Sequence, residues 1–328
     1  MVMFWVAILA VSILLYVLLD GFDLGVGMLF GLTRDETRRQ AMMSAVAPIW
    51  DGNETWLVVA AVVLWGAFPV VYATLLSAFY LPLLVMLAAL ILRGVAFEYR
   101  GKTERLRWMW DASFAGGSLV AAFIQGLTVG ALVEQLPITN GQYTGGEFGW
   151  FSPFAVLCGV GLCLGYSLLG ACWLVKKGEG DLRDAAYRLI PFLSLGLLVF
   201  LVVVFAYALG ENLRVVHRWL ERPYLFAFPA IGVIAAIVLA ASVRHRRDGP
   251  PFYMTALIFA AAFGTLAISF WPYMIPFSIT IEQAAAPHSS LAFMFWGEGL
   301  FVFPLMLLYT VISYTVFRGK VRPAADHY

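Results

Sequence analysis

Ala47-Pro48-Ile49-Trp50-Asp51-Gly52-Asn53-Glu54-Thr55-Trp56 sets two carboxylates and a carboxamide between two tryptophans, at the mouth of a long apolar run. A carboxylate in hydrocarbon costs at least about 2.5 kcal/mol, so an acid at such a place marks a function by default. Two readings follow. Either these groups move protons or bind something polar, or they lock helices together and face a watery interface.

The surroundings of this stretch fix the class. The chain has 328 residues, 62% hydrophobic and 12% charged. A soluble domain is about half apolar and about a quarter charged, so the composition points to a polytopic membrane protein. The net charge of +1, with no basic block, gives no footing for nucleic acid. Met1 to Leu19 runs straight into a longer apolar segment and reads as a retained first span, not a signal peptide. Cys158, Cys163 and Cys172 share one apolar segment, with spacing that suits neither a zinc site nor a disulfide framework. They read as small helix-packing residues.

A span needs about 20 apolar residues. By that measure the chain is one all-α integral membrane domain with nine spans, at 3–29, 52–72, 75–97, 111–133, 152–175, 189–210, 224–243, 252–275 and 291–317. A tight turn around Phe68-Pro69 separates the second from the third. Basic residues set the orientation. The odd loops and the tail, with Arg93 at the same end of span three, hold 18 of the 21 lysines and arginines, among them Arg322. The even loops hold only Arg214, Arg218 and Arg222. The N-terminus is thus expected outside and the C-terminus in the cytoplasm, which requires an odd number of spans.

Candidate chemistry collects at the basic end. Asp20 and Asp23, in Leu18-Leu19-Asp20-Gly21-Phe22-Asp23-Leu24-Gly25-Val26-Gly27, are three apart and share a helix face. Gly21 and Gly25 make a small-xxx-small pair that lets another helix come close. Pro48 suits a first helical turn, placing Asp51 and Glu54 in the opening turns of span two. The helix dipole there favours a negative charge, burial favours the neutral acid, and the balance is open. Arg93 lies about one turn too deep to be free of the membrane and is the expected counter-charge for Asp20, Asp23, Asp51 or Glu54. Glu98 and Asp111 read as helix-fastening groups. Glu298 is an isolated acid in the last span that could pin a helix, meet a lipid headgroup or meet a partner. Trp5, Trp56, Trp108, Trp150, Trp219, Trp271 and Trp296 are expected in interfacial belts. The histidines His217, His245, His288 and His327 all lie outside the spans, so no histidine is placed to ligate a membrane haem.

The stretches Leu19 to Gly27 and Ala47 to Trp56 resemble subunit II of the cytochrome bd quinol oxidases. Arg93 through Lys102, Met109-Trp110-Asp111, Trp271-Pro272-Tyr273-Met274-Ile275-Pro276 and Leu308-Tyr309-Thr310 extend the resemblance over nearly the whole chain. The short outer loops and the ending Val316 to Arg322 are similar to the cyanide-insensitive branch. The resemblance implies two four-helix bundles plus one peripheral helix. It also implies a heterodimer in the bacterial inner membrane with a subunit I that carries the b and d haems and the quinol site. A small accessory subunit and membrane lipids are further partners to expect. Quinol would be oxidised, oxygen reduced to water, and protons taken up from the cytoplasm. The family position matching Asp51 is associated with a cytoplasmic proton route, and that of Trp56 with oxygen access. Some members carry an uncharged residue where Glu54 stands, and some hold a structural quinone in subunit II.

Together these readings give a haem-free subunit whose proton route is Asp51, Asp20, Asp23 and Glu54, with Arg93 as counter-charge and Trp50, Asn53 and Trp56 fixing and shielding the site. A proton- or cation-coupled transporter is the rival from another class. A purely structural scaffold for subunit I is a third reading. Haem b and d bands in whatever copurifies with the chain would separate the first from the second.

Overall fold

The computed structural model describes residues 1–139, 141–211 and 213–321. Arg322 and His327 lie outside them. Nearly everything described is helical. In chain order the helices are α1 (Val2–Phe30), α2 (Glu36–Val46), α3 (Trp50–Ala67), α4 (Pro69–Ala78), α5 (Tyr80–Tyr99), α6 (Arg107–Glu134), α7 (Pro153–Lys177) and α8 (Gly180–Gly210). They continue as α9 (Arg214–Glu221), α10 (Ala227–Arg244), α11 (Pro250–Phe270), α12 (Ile281–Ala284), α13 (His288–Met294) and α14 (Phe303–Val316). A π-helical segment, Phe295–Val302, joins α13 to α14. Among the described residues eight stretches are long and apolar enough to cross a membrane, and the bent pair α3–α4 brings the number to nine when taken as one span. Two small hairpins lie in loops. One pairs β1 (Ile138–Thr139) with β2 (Gln142–Tyr143), the other β3 (Tyr273–Ile275) with β4 (Ile279–Thr280).

Several boundaries differ from expectation, each for a local reason. The loop after the first span contains α2, because Asp35 caps it through Arg38 N at 2.9 Å. Pro48 therefore sits in the turn between α2 and α3, not inside the helix. The connection at Phe68 is no tight turn: α4 leaves α3 at 118° and occupies ten residues before α5 begins at Tyr80. α8 begins at Gly180 and runs through Pro191, two turns and more ahead of the expected 189. Trp5 and Trp56 are wholly buried core residues, whereas Trp108, Trp271 and Trp296 are exposed as a belt residue would be.

α1 is the element the others close around. It packs on α3, α6 and α7, and α7 in turn packs on α6, α8 and α11. The contact with α7 depends on the glycines. A Cβ on Gly25 would run into the Tyr166 carbonyl, and one on Gly21 would meet the Tyr166 ring. Gly170 of α7 faces Gly25 across the same gap. Below this crossing Phe22 stacks on Trp173 at 4.3 Å, with Phe252 edge-on at 5.5 Å. Cys172 is buried beside the Thr255 hydroxyl at 3.3 Å, and Cys158 lies where Gly130 lets α7 approach α6.

The basic end is tied by ion pairs outside the apolar zone. Arg100, almost fully buried, pairs with Asp111 and with Glu36, and Asp111 also takes Arg39 at 2.7 Å. Both guanidiniums lie over the Phe30 ring, at 5.0 Å for Arg39 and 5.2 Å for Arg100. Asp111 is thus a fastening group, and Glu98 is exposed with Lys102 beside it. The end of the described chain is strapped down as well. Lys177 donates to the carbonyls of Phe317 and Gly319, and Val321 N donates to the Lys177 carbonyl. Asp248 completes the strap, 2.8 Å from Lys320 and 2.7 Å from Arg183.

Partial burial works against the Asp248 charge, but hydrogen bonds from Lys320, Arg183 and Tyr187 hold its carboxyl below the ordinary value. A carboxyl whose pKa falls on folding stabilises the fold above its unfolded pKa, and that contribution is lost as pH falls through the folded pKa. Asp248→Asn should therefore lower thermal stability at neutral pH, by about 1 kcal/mol given solvent screening. The gap to wild type should close on acidification below about pH 4. Melting curves of the purified protein across pH test this. At the helix crossing, Gly25→Ala should destabilise by about 1–3 kcal/mol. Gly116→Ala, which meets open space, should melt as wild type does.

Candidate functional site

Three helices bring ionisable side chains into one buried pocket. α1 presents Asp20 and Asp23, fully and almost fully buried. α5 presents Arg93, also fully buried, so it does not reach out to the interface. It can lie so deep because Gly117 of α6 admits the α5 backbone: a Cβ there would meet the Ala89 carbonyl and crowd Arg93 at 3.3 Å. α3 presents Asn53 and Glu54.

Of the four acids open to it, Arg93 takes two. Its Nη1 is 2.7 Å from Asp20 Oδ1, and its Nη2 donates to Glu54 Oε2 at 2.8 Å. The first contact is a close ion pair but not a linear hydrogen bond, and Arg93 Nε and both Asp20 oxygens lack aligned partners. Glu54 is the open end of the pair, its side chain 28% exposed. Asp23 is held differently. Asn53 Nδ2 donates to its Oδ2 at 2.7 Å, and Tyr314 donates to Asn53 Oδ1 at 2.9 Å, while Asp23 Oδ1 is buried without a partner. One guanidinium thus serves a pocket of three carboxyl groups, two of them shut off from water and the third, Glu54, at its open end. Three carboxylates would leave net negative charge there, which a low-dielectric interior opposes. The pocket is charge-balanced when it holds two protons.

The remaining expected residues fall into place around this pocket. Trp50 stacks on Phe97 at 4.8 Å with planes 9° apart, resting where Gly94 leaves room. Trp56 is sealed in the core, its Nε1 donating to Thr310 Oγ1 at 3.2 Å and its ring edge-on to Phe303. Asp51 stands apart from the pocket. It lies in the first turn of α3 on the exposed surface of the chain, with no ion pair among the described residues, and only the helix spacing keeps it next to Glu54. Glu298 lies in the π-helical segment, half-buried, and likewise makes no ion pair among the described residues.

Sequence reasoning missed four polar residues. Tyr314 is one. The others extend the pocket away from the basic end: Tyr166 donates to Gln125 Oε1 at 2.9 Å, and Gln125 Nε2 donates to the Tyr16 hydroxyl at 2.6 Å. Tyr16 lies one turn before Asp20 on the same face of α1. Its i−4 spacing from Asp20 and the lone glutamine of α6 were visible signals; Tyr314, 261 residues from Asn53, gave none.

The match to known proteins decides the family. The family described as cytochrome bd terminal oxidase subunit II matches residues 1–317. The chain belongs to that family. It is 31% identical to the cytochrome bd-I ubiquinol oxidase subunit 2 of Escherichia coli K12, over 97% of this chain and 94% of that one. It is 30% identical to the cytochrome bd ubiquinol oxidase subunit 2 of Bacillus subtilis, over 97% and 96%. A probable cytochrome oxidase subunit 2 of Haemophilus influenzae is 31% identical over 95% and 91%. Among solved structures, the bd oxidase of Geobacillus thermodenitrificans superposes with a TM-score of 0.77 over 96% of each chain, at 16% identity, which establishes a shared fold. Family membership makes this chain a multi-pass membrane subunit of a respiratory terminal oxidase and sets aside the coupled-transporter reading.

Arg93→Gln would remove the one cation that the described residues place in the pocket and should cost about 3–5 kcal/mol. Adding Asp20→Asn should recover part of that loss, because the carboxylate left unpaired is then gone. Thermal melting of the two variants decides it: a double variant no more stable than Arg93→Gln would show that this ion pair does not organise the site.

Proposed function

We propose that this chain is the haem-free subunit II of a bacterial quinol oxidase and that it holds protons on their way from the cytoplasm to oxygen reduction. The observation that carries this reading is the buried pocket with one guanidinium for three carboxyl groups. Such a pocket stores protons by charge balance and can exchange them through Glu54, its partly exposed member. Asp51, three residues away on the chain surface, is the main proton-handling group of the route, with Glu54, Asp20 and Asp23 behind it and Arg93 as counter-charge. Trp50 and Asn53 fix the geometry, through the stack on Phe97 and the hydrogen bond to Asp23. The family's oxygen-access role falls to Trp56.

Haem chemistry is assigned to the partner. The exposed positions of His217 on α9, His245 at the end of α10 and His288 at the first residue of α13 support this assignment. Subunit I supplies haems b and d and the quinol site, quinol is oxidised to quinone, and oxygen is reduced to water. The charge bias supports an outside N-terminus and a cytoplasmic basic end, in a single membrane domain of the inner membrane. A structural quinone and a small accessory subunit belong to the same reading.

The test is Asp51→Asn in the purified complex. Oxygen consumption with quinol should fall about tenfold, about 1.4 kcal/mol on the barrier, with the haem b and d bands unchanged. Unchanged turnover would remove Asp51 from the route. Unchanged turnover in Asp23→Asn as well would leave the chain a scaffold for subunit I.

A further inference from the structure

We propose that the face opposite the proton pocket carries a binding site for the headgroup of an acidic phospholipid, built on α9. The three basic residues that break the charge bias of the chain, Arg214, Arg218 and Arg222, are spaced four apart, the first two on one face of α9 and the third at its C-cap. They converge with His217 and Glu221 on a pocket of about 440 Å³, closed on its other side by Pro272, Tyr273 and Phe277.

The pocket is held in place from beneath. Trp219, on the back of α9, donates to the Ser269 hydroxyl at 2.7 Å and packs edge-on to Phe205 of α8 and Phe226. These contacts pin α9 where α8 and α11 end, the depth at which lipid headgroups lie. Arg218 is oriented by the protein: its Nη2 donates to the Trp271 carbonyl, and its guanidinium lies 6.0 Å from the Tyr273 ring centroid and 5.7 Å from that of Phe277. Its Nε is buried without a partner.

The charge of this pocket is uncompensated. At the basic end Arg38, Arg39, Arg93, Arg100, Arg107, Arg183 and Arg246 form ion pairs, whereas Arg34, Arg105, Arg188, Arg244, Arg247 and Arg318 form none among the described residues. None of Arg214, Arg218 and Arg222 forms one among the described residues, although Glu221 lines the same pocket. Three arginines against one glutamate favour a headgroup with net negative charge over a zwitterionic one. Guanidinium is suited to the phosphate by its fork of N–H donors. Apolar surface close by in the chain favours a lipid over a free anion. Leu209 at the end of α8, Leu220 on α9 and Tyr224 just after Arg222 are exposed, 55%, 73% and 61%, and offer surface that acyl chains can cover.

The experiment is a titration of the delipidated, detergent-purified complex with phosphatidylglycerol, read by native mass spectrometry. Wild type should retain one equivalent that the Arg214→Gln/Arg218→Gln/Arg222→Gln variant lacks, with phosphatidylcholine retained equally by both. Arg214 is exposed and forms no side-chain hydrogen bond or ion pair among the described residues, so Arg214→Gln should leave the fold undisturbed and decides the matter if the triple variant does not assemble. That single change should weaken phosphatidylglycerol about fivefold. Equal retention by wild type and Arg214→Gln would overturn the proposal. So would displacement of phosphatidylglycerol by inorganic phosphate at matching concentrations, which would make this a site for a free anion.

Discussion

Arg93 has given up water on every side, and the rest of the buried acid pocket is arranged around that fact. A buried guanidinium is tolerable only against carboxylates in close geometry, and even then pairing barely repays desolvation. The consequence is a three-way constraint. α5 supplies the cation, α1 and α3 supply Asp20 and Glu54, and none of these helices can rotate or slide without stranding a charge. Asn53 and Tyr314 extend the constraint to α14, so that four elements share one electrostatic register.

That register is reachable only because small residues let backbones come close. Gly117 brings α5 onto α6, and Gly25 and Gly170 bring α1 onto α7. Helix association in lipid gains little from the hydrophobic effect, so packing and polar contacts decide it. The line from Tyr166 through Gln125 to Tyr16 is the second product of the same closeness. Its donors all point toward the Asp20 end, and a chain of aligned hydrogen bonds polarises in one direction.

Much of this was legible in the residues. The apolar runs and basic loops announced the helical membrane class, the glycine pair announced a close crossing, and the depth of Arg93 announced a buried counter-charge. Which acids it would take was not legible, because that depends on the rotation of α1 and α3 about their own axes. Local pattern also could not separate Trp5 and Trp56, which enter the core, from Trp108 and Trp296, which stay outside. The helix α2 was signalled by Asp35 and Glu36 at its start, but its mean polarity hid it within a loop. A turn at Phe68-Pro69 was legible, but not the 118° angle or the separate helix that follows it, where Phe68 is fully buried.

That bend also bears on the lipid around the protein. The 18 residues of α3 rise only about 27 Å, short of a hydrocarbon core of about 30 Å. α4 turns sideways where the missing height would have been, with Val70 and Leu76 at its exposed edge. A bilayer of ordinary thickness would meet a mismatch along this flank, at fractions of a kcal/mol for each ångström. Membrane thickness would then act as a mechanical load on the same helix that carries Asp51, Asn53 and Glu54.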